Sequence, residues 1–389
     1  MDKITFCIPS KDNLRYLKTC IPSIRKNAFR DDHDIIIFVD EDNDGTIEWL
    51  EQVKDQYNLK YYVNPTLGEK LYGIGKAYDY CIDKSNTDIF MIFHADMMLG
   101  KHADKKAFDL LKPKTVVCST RVEPPLHPNA GEKILMDFGI WPEEFKENEF
   151  DKYVEKHIND DKITEGIFAP WMMYKDEFQA IGGHDPRMHS CREDSDVFNR
   201  LLLDNFTFQQ PWNSLVYHLT GRGAGSFSGD EKRHEEWKKQ MNNSTKEFIR
   251  KWGSNIEHTS LMKPIVTPVY KKKLILINAN ENVLSVLEPW FTEIAVDIDI
   301  NKWVEVNNKD SYFDLSKRVY KHDNNSQEAW DDIFITLDSS KFTQQDYNHI
   351  MLLNKIITDS GEANSVFQLG NLTIKINQLK NYQNELIKI

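Results

Sequence analysis

The chain has 389 residues, an ordinary apolar share of 40%, and 61 acidic against 49 basic residues, which gives a net charge of −12. This balance argues against a general affinity for nucleic acid or anionic lipid. A chain of this length is expected to form one large domain and a smaller one.

Two other global features point to a cytoplasmic protein. The five cysteines are odd in number and lack C-x-x-C spacing, which supports neither a disulfide framework nor a zinc site and fits a reducing compartment. No run of about 18 apolar residues is present, and the opening MDKITFCIPS lacks a signal-peptide pattern. We therefore expect a soluble protein without a transmembrane segment.

Strand-like and helix-like segments alternate over the first hundred residues. Apolar runs predict strands, and amphipathic segments between them predict helices. The predicted strands are 3–9, 34–39, 60–63 and 88–93, and the predicted helices are 14–24, 47–57 and 68–83. This order indicates a doubly wound, mainly parallel sheet with flanking helices.

The rest of the chain is less regular. A strand at 115–119 is followed by 121–165, which we interpret as an excursion from the core that contains a helix near 143–157. Residues 259–270 contain two prolines and separate two segments with different sequence patterns, which predicts a linker. We expect a main domain over 1–258 and a small α/β accessory domain over 271–389, through which the chain could form oligomers.

The stretch DIFMIFHADMML, residues 88–99, carries the first candidate site. Its apolar run predicts a buried strand, and His94 and Asp96 follow at the carboxyl end. Ligands bind at that edge of open α/β sheets. An imidazole and a carboxylate there suit a divalent ion that bridges diphosphate oxygens.

The segment 40–51 matches the EF-hand pattern D-x-D-x-D-G-x₅-E. An EF-hand loop needs an entering helix, whereas DIIIFV before Asp40 is typical of a strand. We therefore prefer a carboxylate-rich turn in which Asp40, with Asp42 beside it, contacts a ribose or base.

Two later segments carry further candidates. Glu193 and Asp194 open a predicted helix, where they could simply complement the helix dipole, or one of them could be a general base. His218 ends an apolar strand before a glycine-rich loop, which we interpret as a lid with Arg222 available to phosphate. Trp171 is the one tryptophan that we consider a platform for sugar stacking.

The succession of these motifs resembles the GT-A fold glycosyltransferases, most closely family 2, over about residues 1–255. It consists of IPSKDN, FVDEDNDGT, HADMM, IGGHDP, REDSDVFNR and YH, in that order. The resemblance implies a Rossmann-like mixed sheet and a nucleotide-sugar donor, usually a UDP-sugar, held with Mn²⁺ or Mg²⁺. It also implies a hydroxyl acceptor on a glycan, lipid or protein.

The resemblance assigns roles residue by residue. Asp96 matches the second acid of the DxD motif, Asp40 the nucleotide-contacting acid, and Asp194 the catalytic base. His218 is similar to the third metal ligand of some members. Residue 94 is His where the family usually has Asp, and a His/Asp/His set suits Mn²⁺. The further candidates are Pro9, Ser10, Lys76 and Ala95 for the donor, and Gly183 and His184 for the acceptor.

The resulting hypothesis is inverting transfer, in which Asp194 deprotonates the acceptor hydroxyl that attacks the anomeric carbon. Three alternatives stay open: a retaining transferase of the same fold, a nucleotidyltransferase, and a non-enzymatic calcium- or glycan-binding protein. A nucleotidyltransferase would need a glycine-rich, basic loop after the first strand, and Ser10–Asn13 lacks those glycines.

Overall fold

The computed structural model describes residues 2–128, 131–221, 231–322 and 332–389. The chain divides into two compact units. The first comprises Met1–Gln240, His258–Ile265 and Lys388–Ile389, and the second comprises Met241–Glu257 and Val266–Ile387. No helix within the described ranges is both long and apolar enough to cross a bilayer.

The first unit contains the elements that the apolar runs of its sequence predict, together with several short strands. Its strands are β1 (Ile4–Lys11), β2 (Asp34–Glu41), β3 (Leu59–Val63), β4 (Ile89–Ile92), β5 (Met97–Leu99), β6 (Thr115–Cys118), β7 (Thr120–Glu123), β8 (Ile134–Leu135), β9 (Ile163–Thr164), β10 (Trp171–Tyr174), β11 (Thr207–Pro211) and β12 (Leu215–His218). Its helices are α1 (Leu14–Asn27), α2 (Thr46–Val53), α3 (Ile74–Lys84), α4 (Ala103–Phe108), α5 (Glu147–His157), α6 (Lys175–Ala180) and α7 (Glu193–Leu203); α8 (Glu231–Trp252) begins in this unit and ends in the second.

The main sheet of the first unit has the strand order β3-β2-β1-β4-β10-β6-β11-β9. Strands β1 to β4 are parallel, and β10 runs antiparallel between β4 and β6. Side chains of β1, β2 and β4 are almost completely buried because helices cover both faces of a parallel sheet. The predicted mixed, mainly parallel α/β architecture is therefore confirmed.

A second sheet of the first unit has the order β5-β12-β7-β8. The segment expected to leave the core, 121–165, in fact supplies most of β7 and all of β8 to this sheet. The expectation failed because these strands are only 4 and 2 residues long, and β7 joins the sheet through β12, which is distant in sequence. Such nonlocal pairing leaves little periodicity to detect.

The second unit has its own six-stranded sheet in the order β15-β14-β13-β16-β18-β17. Strands β13 to β16 pair in parallel, and β18 and β17 form an antiparallel hairpin at one edge. Its strands are β13 (Lys272–Ile277), β14 (Glu293–Val296), β15 (Val319–Lys321), β16 (Ile333–Asp338), β17 (Ser365–Leu369) and β18 (Leu372–Ile376). Its other helices are α9 (Glu281–Leu287), α10 (Asn301–Asn307), α11 (Gln344–Met351) and α12 (Leu353–Ser360).

Candidate functional site

A cavity of about 340 Å³ opens at the carboxyl edge of β1, β2 and β4. This is the edge at which parallel sheets bind ligands, because their crossover helices leave a crevice there. The cavity is lined by seven of the residues that the sequence analysis assigned to donor or metal binding. They are Pro9, Ser10, Asp40, His94, Ala95, Asp96 and His218.

His94, Asp96 and His218 form the one metal-competent cluster found in the described ranges. Their potential ligand atoms all lie within 4.8 Å of one another. The antiparallel pairing of β5 with β12 brings Asp96 and His218 together. Asp96 comes just before β5, and His218, the last residue of β12, pairs with Met97 in β5. The backbone N–H of Leu219 also donates to the carbonyl of Asp96 (3.1 Å).

Glu123, at the end of β7, orients the imidazole of His218. Its Oε1 lies 2.8 Å from His218 Nδ1, and His218 Nε2 lies 3.5 Å from Asp96 Oδ1. A carboxylate that accepts from one ring nitrogen leaves the other nitrogen directed at the cluster, which is how metal-binding histidines are usually held. The donor atoms present therefore fit Mn²⁺.

The pKa values in the cluster follow from burial and from the carboxylates. Burial lowers the pKa of His94 to about 4, although Asp96 opposes the shift. Burial would also lower the pKa of His218, but Asp96 and Glu123 raise it to about 9. Burial would raise the pKa of Glu123, but His218 and Arg121 hold it well below its usual value.

A buried ion network extends from Glu123. Arg121 Nη1 lies 3.0 Å from Glu123 Oε1, and Lys133 Nζ lies 2.8 Å from Glu123 Oε2. Arg121 also pairs with Glu132 (3.1 Å) and packs its guanidinium 3.7 Å from the ring centre of Phe168. Arg121 and Phe168 both line the cavity, so the network places a fixed cation beside the metal cluster.

Sequence reasoning missed Arg121 and Glu123, although a signal was present. Two charged residues two apart in a strand share one face, and TRVE has that spacing. The predicted strand ended at residue 119, so TRVE was not recognised as a strand.

Asp40 is the penultimate residue of β2 and lines the cavity as expected. Its Oδ1 accepts from the backbone N–H of Tyr72 (2.6 Å) and from Asn64 Nδ2 (2.9 Å), and its Oδ2 accepts from the N–H of Gly73 (3.1 Å). The carboxylate thus holds the loop before α3 against the sheet edge. Gly73 has a φ of +96°, and a Cβ there would lie 2.7 Å from the His189 ring, so glycine is needed.

Several other candidates lie outside the cavity lining. Asp42 accepts from the N–H groups of Thr46 and Ile47 at the start of α2 and is not part of the lining. Lys76 is exposed on α3 and is not part of the lining. Arg222 lies outside the described residues. The carboxylates of 40–51 do not converge as calcium ligands among the described residues.

The three acceptor candidates also lie away from the cavity lining. Trp171 is only 1% exposed and packs against Phe90 and Phe178, so its ring is not available for stacking on a sugar, contrary to expectation. His184 is 4% exposed, and its Nδ1 lies 2.6 Å from Asp79. Gly183, with a φ of +72°, lies in the turn before His184, where its backbone carbonyl accepts from Arg200.

Glu193 and Asp194 begin α7, close to Ser190 in the cavity wall. Asp194 Oδ1 accepts from the N–H of Ser195 (2.6 Å), at a helix end whose dipole favours a carboxylate. Burial, together with the neighbouring Asp194, raises the pKa of Glu193 to about 8. Neither carboxylate lines the cavity as it stands.

A tryptophan that sequence reasoning did not select lies in the cavity wall. Trp237, together with Glu236 and Gln240, lines the cavity from α8. The polar surface of this helix gave no indication from the sequence of which face would meet a ligand.

Comparison with solved structures gives matches of low identity. The mannosyltransferase PcManGT from Pyrobaculum calidifontis, in complex with GDP-Man and Mn²⁺, aligns with 12% identity and a TM-score of 0.43 over 64% of this chain and 63% of that chain. TarS from S. aureus aligns with 12% identity and a TM-score of 0.42, over 64% of this chain and 43% of that chain. GalNAc-T7 with UDP, GalNAc and Mn²⁺ aligns with 11% identity and a TM-score of 0.43, over 56% of this chain and 44% of that chain. The alignment thus spans less than two thirds of each of these chains, and no curated protein matches the sequence.

The family comparison is more direct. Residues 5–181 match the model of glycosyl transferase family 2, a range that includes β1 to β4, His94 and Asp96. This match confirms, over residues 5–181, the resemblance inferred from the motifs. Over residues 5–181, therefore, the chain carries a glycosyltransferase domain of family 2.

Proposed function

We propose that this protein transfers a sugar from a nucleoside-diphosphate donor, with UDP-sugars favoured, to a hydroxyl acceptor with the help of Mn²⁺ or Mg²⁺. The observation that carries the proposal is the His94, Asp96 and His218 cluster at the carboxyl edge of a family 2 domain. The solved structures of PcManGT and GalNAc-T7 hold Mn²⁺ together with a nucleotide or nucleotide sugar, as their descriptions state.

His94, Asp96 and His218 would hold the metal ion. When bound, such an ion supplies positive charge that stabilises the departing diphosphate. Glu123 fixes the tautomer of His218, so that the ring keeps one nitrogen directed at Asp96. The guanidinium of Arg121 adds a buried donor on the same cavity wall, suited to a phosphate oxygen.

The other end of the cavity would receive the nucleoside. Pro9 and Ser10 lie near the carboxyl end of β1, and Asp40 lies near the carboxyl end of β2, so the three residues are close together at the sheet edge. Asp40 holds the Tyr72-Gly73 backbone in place and keeps acceptor capacity for a ribose hydroxyl, since a carboxylate has about four lone-pair sites.

Asp194 is our proposed general base, and its role implies inversion at the anomeric carbon. Its carboxylate lies at the start of α7, where it accepts from the N–H of Ser195. Glu193 is less suited, because burial raises its pKa to about 8 and so disfavours the ionised form. We place the acceptor hydroxyl between Asp194 and the cavity.

The test is release of nucleoside diphosphate from a panel of nucleotide sugars, with and without Mn²⁺. We expect metal-dependent release by the wild type and a loss of at least about hundredfold in Asp96→Asn. The matched control is Asp109→Asn, which removes an exposed carboxylate paired with Lys105. Metal-independent release, or equal activity in the two variants, would contradict the proposal.

A further inference from the structure

The first turns of α8 present a mixed aromatic and polar face to the cavity. Glu236, Trp237 and Gln240 line it together. Residues 236 and 240 are four apart and residues 237 and 240 are three apart, so all three share one side of the helix. Thr220, two residues after His218, lines the same cavity, which connects this face with the metal cluster.

The indole of Trp237 is supported by a neighbouring ring on its own helix. It is half-buried and stacks on the imidazole of His234, one turn earlier, with ring centres 5.9 Å apart and an interplanar angle of 18°. A tryptophan fixed in this way offers a large, rigid apolar surface at little entropic cost. Stacking against the C–H face of a sugar ring needs such a surface.

Glu236 and Gln240 supply hydrogen-bonding groups beside that ring. A carboxylate accepts from hydroxyl groups, and a carboxamide both donates and accepts, so the pair can bind vicinal hydroxyls. Lys232 lies 3.9 Å from Glu236 on an exposed surface, and such a long, solvated pair holds the carboxylate only weakly. The negative charge of Glu236 disfavours an acceptor that is itself anionic.

We propose that Glu236, Trp237 and Gln240 form an acceptor subsite for a neutral glycan, with Trp237 stacked on the acceptor sugar. This inference rests on the proposed transfer function and gives it an acceptor class. It replaces Trp171, which is enclosed in the core, as the stacking residue. It also selects a glycan over the lipid and protein acceptors that the sequence left open.

The experiment measures binding of the full chain to an array of neutral and anionic oligosaccharides, without donor. We expect binding to neutral glycans, a loss of at least about tenfold in Trp237→Ala, and partial recovery in Trp237→Phe. Lys238→Ala is the matched control because this exposed residue is adjacent to Trp237 but is not part of the lining. It should bind within about twofold of the wild type. Circular dichroism checks that each variant is folded.

Four outcomes would overturn the inference: no glycan bound, binding of anionic glycans only, equal binding by folded Trp237→Ala and Lys238→Ala, or transfer to peptide or lipid acceptors alone. Failure of the proposed function has a different signature, since it would abolish wild-type nucleoside diphosphate release from every donor whatever the array shows. The array and the donor assay therefore separate the two claims.

Discussion

Replacing Glu123 with glutamine tests whether the carboxylate behind His218 prepares the site for a metal ion. Glutamine keeps the size of the side chain and an oxygen that can accept from His218 Nδ1, but it removes the charge that lies 2.8 Å from that nitrogen. Loss of such a supporting group usually weakens metal affinity about 10- to 100-fold. This corresponds to about 1.4 to 2.7 kcal/mol of binding free energy.

The same substitution also perturbs folding, because Glu123 is shared by two buried cations. Arg121 lies 3.0 Å and Lys133 2.8 Å from its carboxylate, and all three side chains are less than a tenth exposed. Breaking a buried pair costs about 3 to 5 kcal/mol, and the hydrogen bonds that glutamine keeps place the loss at the lower end. We therefore expect a folded but less stable variant.

The assay is calorimetric titration with Mn²⁺ at neutral pH, with thermal unfolding followed in parallel. Glu132→Gln is the matched control: it removes a buried carboxylate from the same network, 3.1 Å from Arg121, without touching His218. We expect both variants to melt earlier, but only Glu123→Gln to lose Mn²⁺ affinity. Unchanged affinity in folded Glu123→Gln, or an equal loss in Glu132→Gln, would refute the reasoning.

Three further predictions follow from single contacts. Asp194→Asn should lower the turnover number for transfer at least about hundredfold at saturating substrates; near-normal turnover would exclude the base assignment. Burial lowers the pKa of Lys272 to about 7, whereas the unfolded lysine keeps its proton up to about pH 10. The free energy of unfolding of the second unit should therefore increase as the pH rises from about 7 to about 10. Urea unfolding at several pH values should show this slope in the wild type and lose it in Lys272→Met; an identical slope would contradict it. Gly100→Ala should cost about 3 kcal/mol, measured by urea unfolding, because its Cβ would overlap the carbonyl oxygen of Leu215. In Gly68→Ala the added Cβ would have no atom within 4 Å, but the φ of +79° is unfavourable for alanine, so the substitution should cost only about 1 kcal/mol. Equal losses of stability in the Gly100 and Gly68 variants would refute the steric argument.

The parallel half of the first unit was predictable because its signals are local. DIIIFV and IFMIF are apolar runs of strand length, and helical segments separate them, so β2, β4 and their order follow from periodicity and from the rule that crossovers are right-handed. The polar residues that end these strands, Asp40, His94 and Asp96, then fall at one edge of the sheet. Their convergence is a consequence of topology and needs no knowledge of side-chain packing.

The residues that complete the cavity were not predictable in this way. Glu123 reaches His218 only because β7 and β12 pair in parallel, across a sequence separation of 95 residues. Trp171 lies in an apolar stretch and Trp237 in a polar one, but this contrast alone does not show which of the two rings meets a ligand. The pairing of β10 with β4 places Trp171 inside the sheet, and the position of α8 places Trp237 in the cavity wall.

We expect the cluster around His218 to favour a cation because of the charges that surround it. Three buried carboxylates face two buried basic side chains, so the group lacks one positive charge when both histidines are neutral. Burial alone would lower the pKa of His218, yet the carboxylates of Asp96 and Glu123 raise it to about 9 and so favour a positive charge at this imidazole. A divalent ion held by the cluster would supply positive charge without that proton, and its remaining charge would be available to a diphosphate. The carboxylates are Asp96, Glu123 and Glu132, and the basic side chains are Arg121 and Lys133.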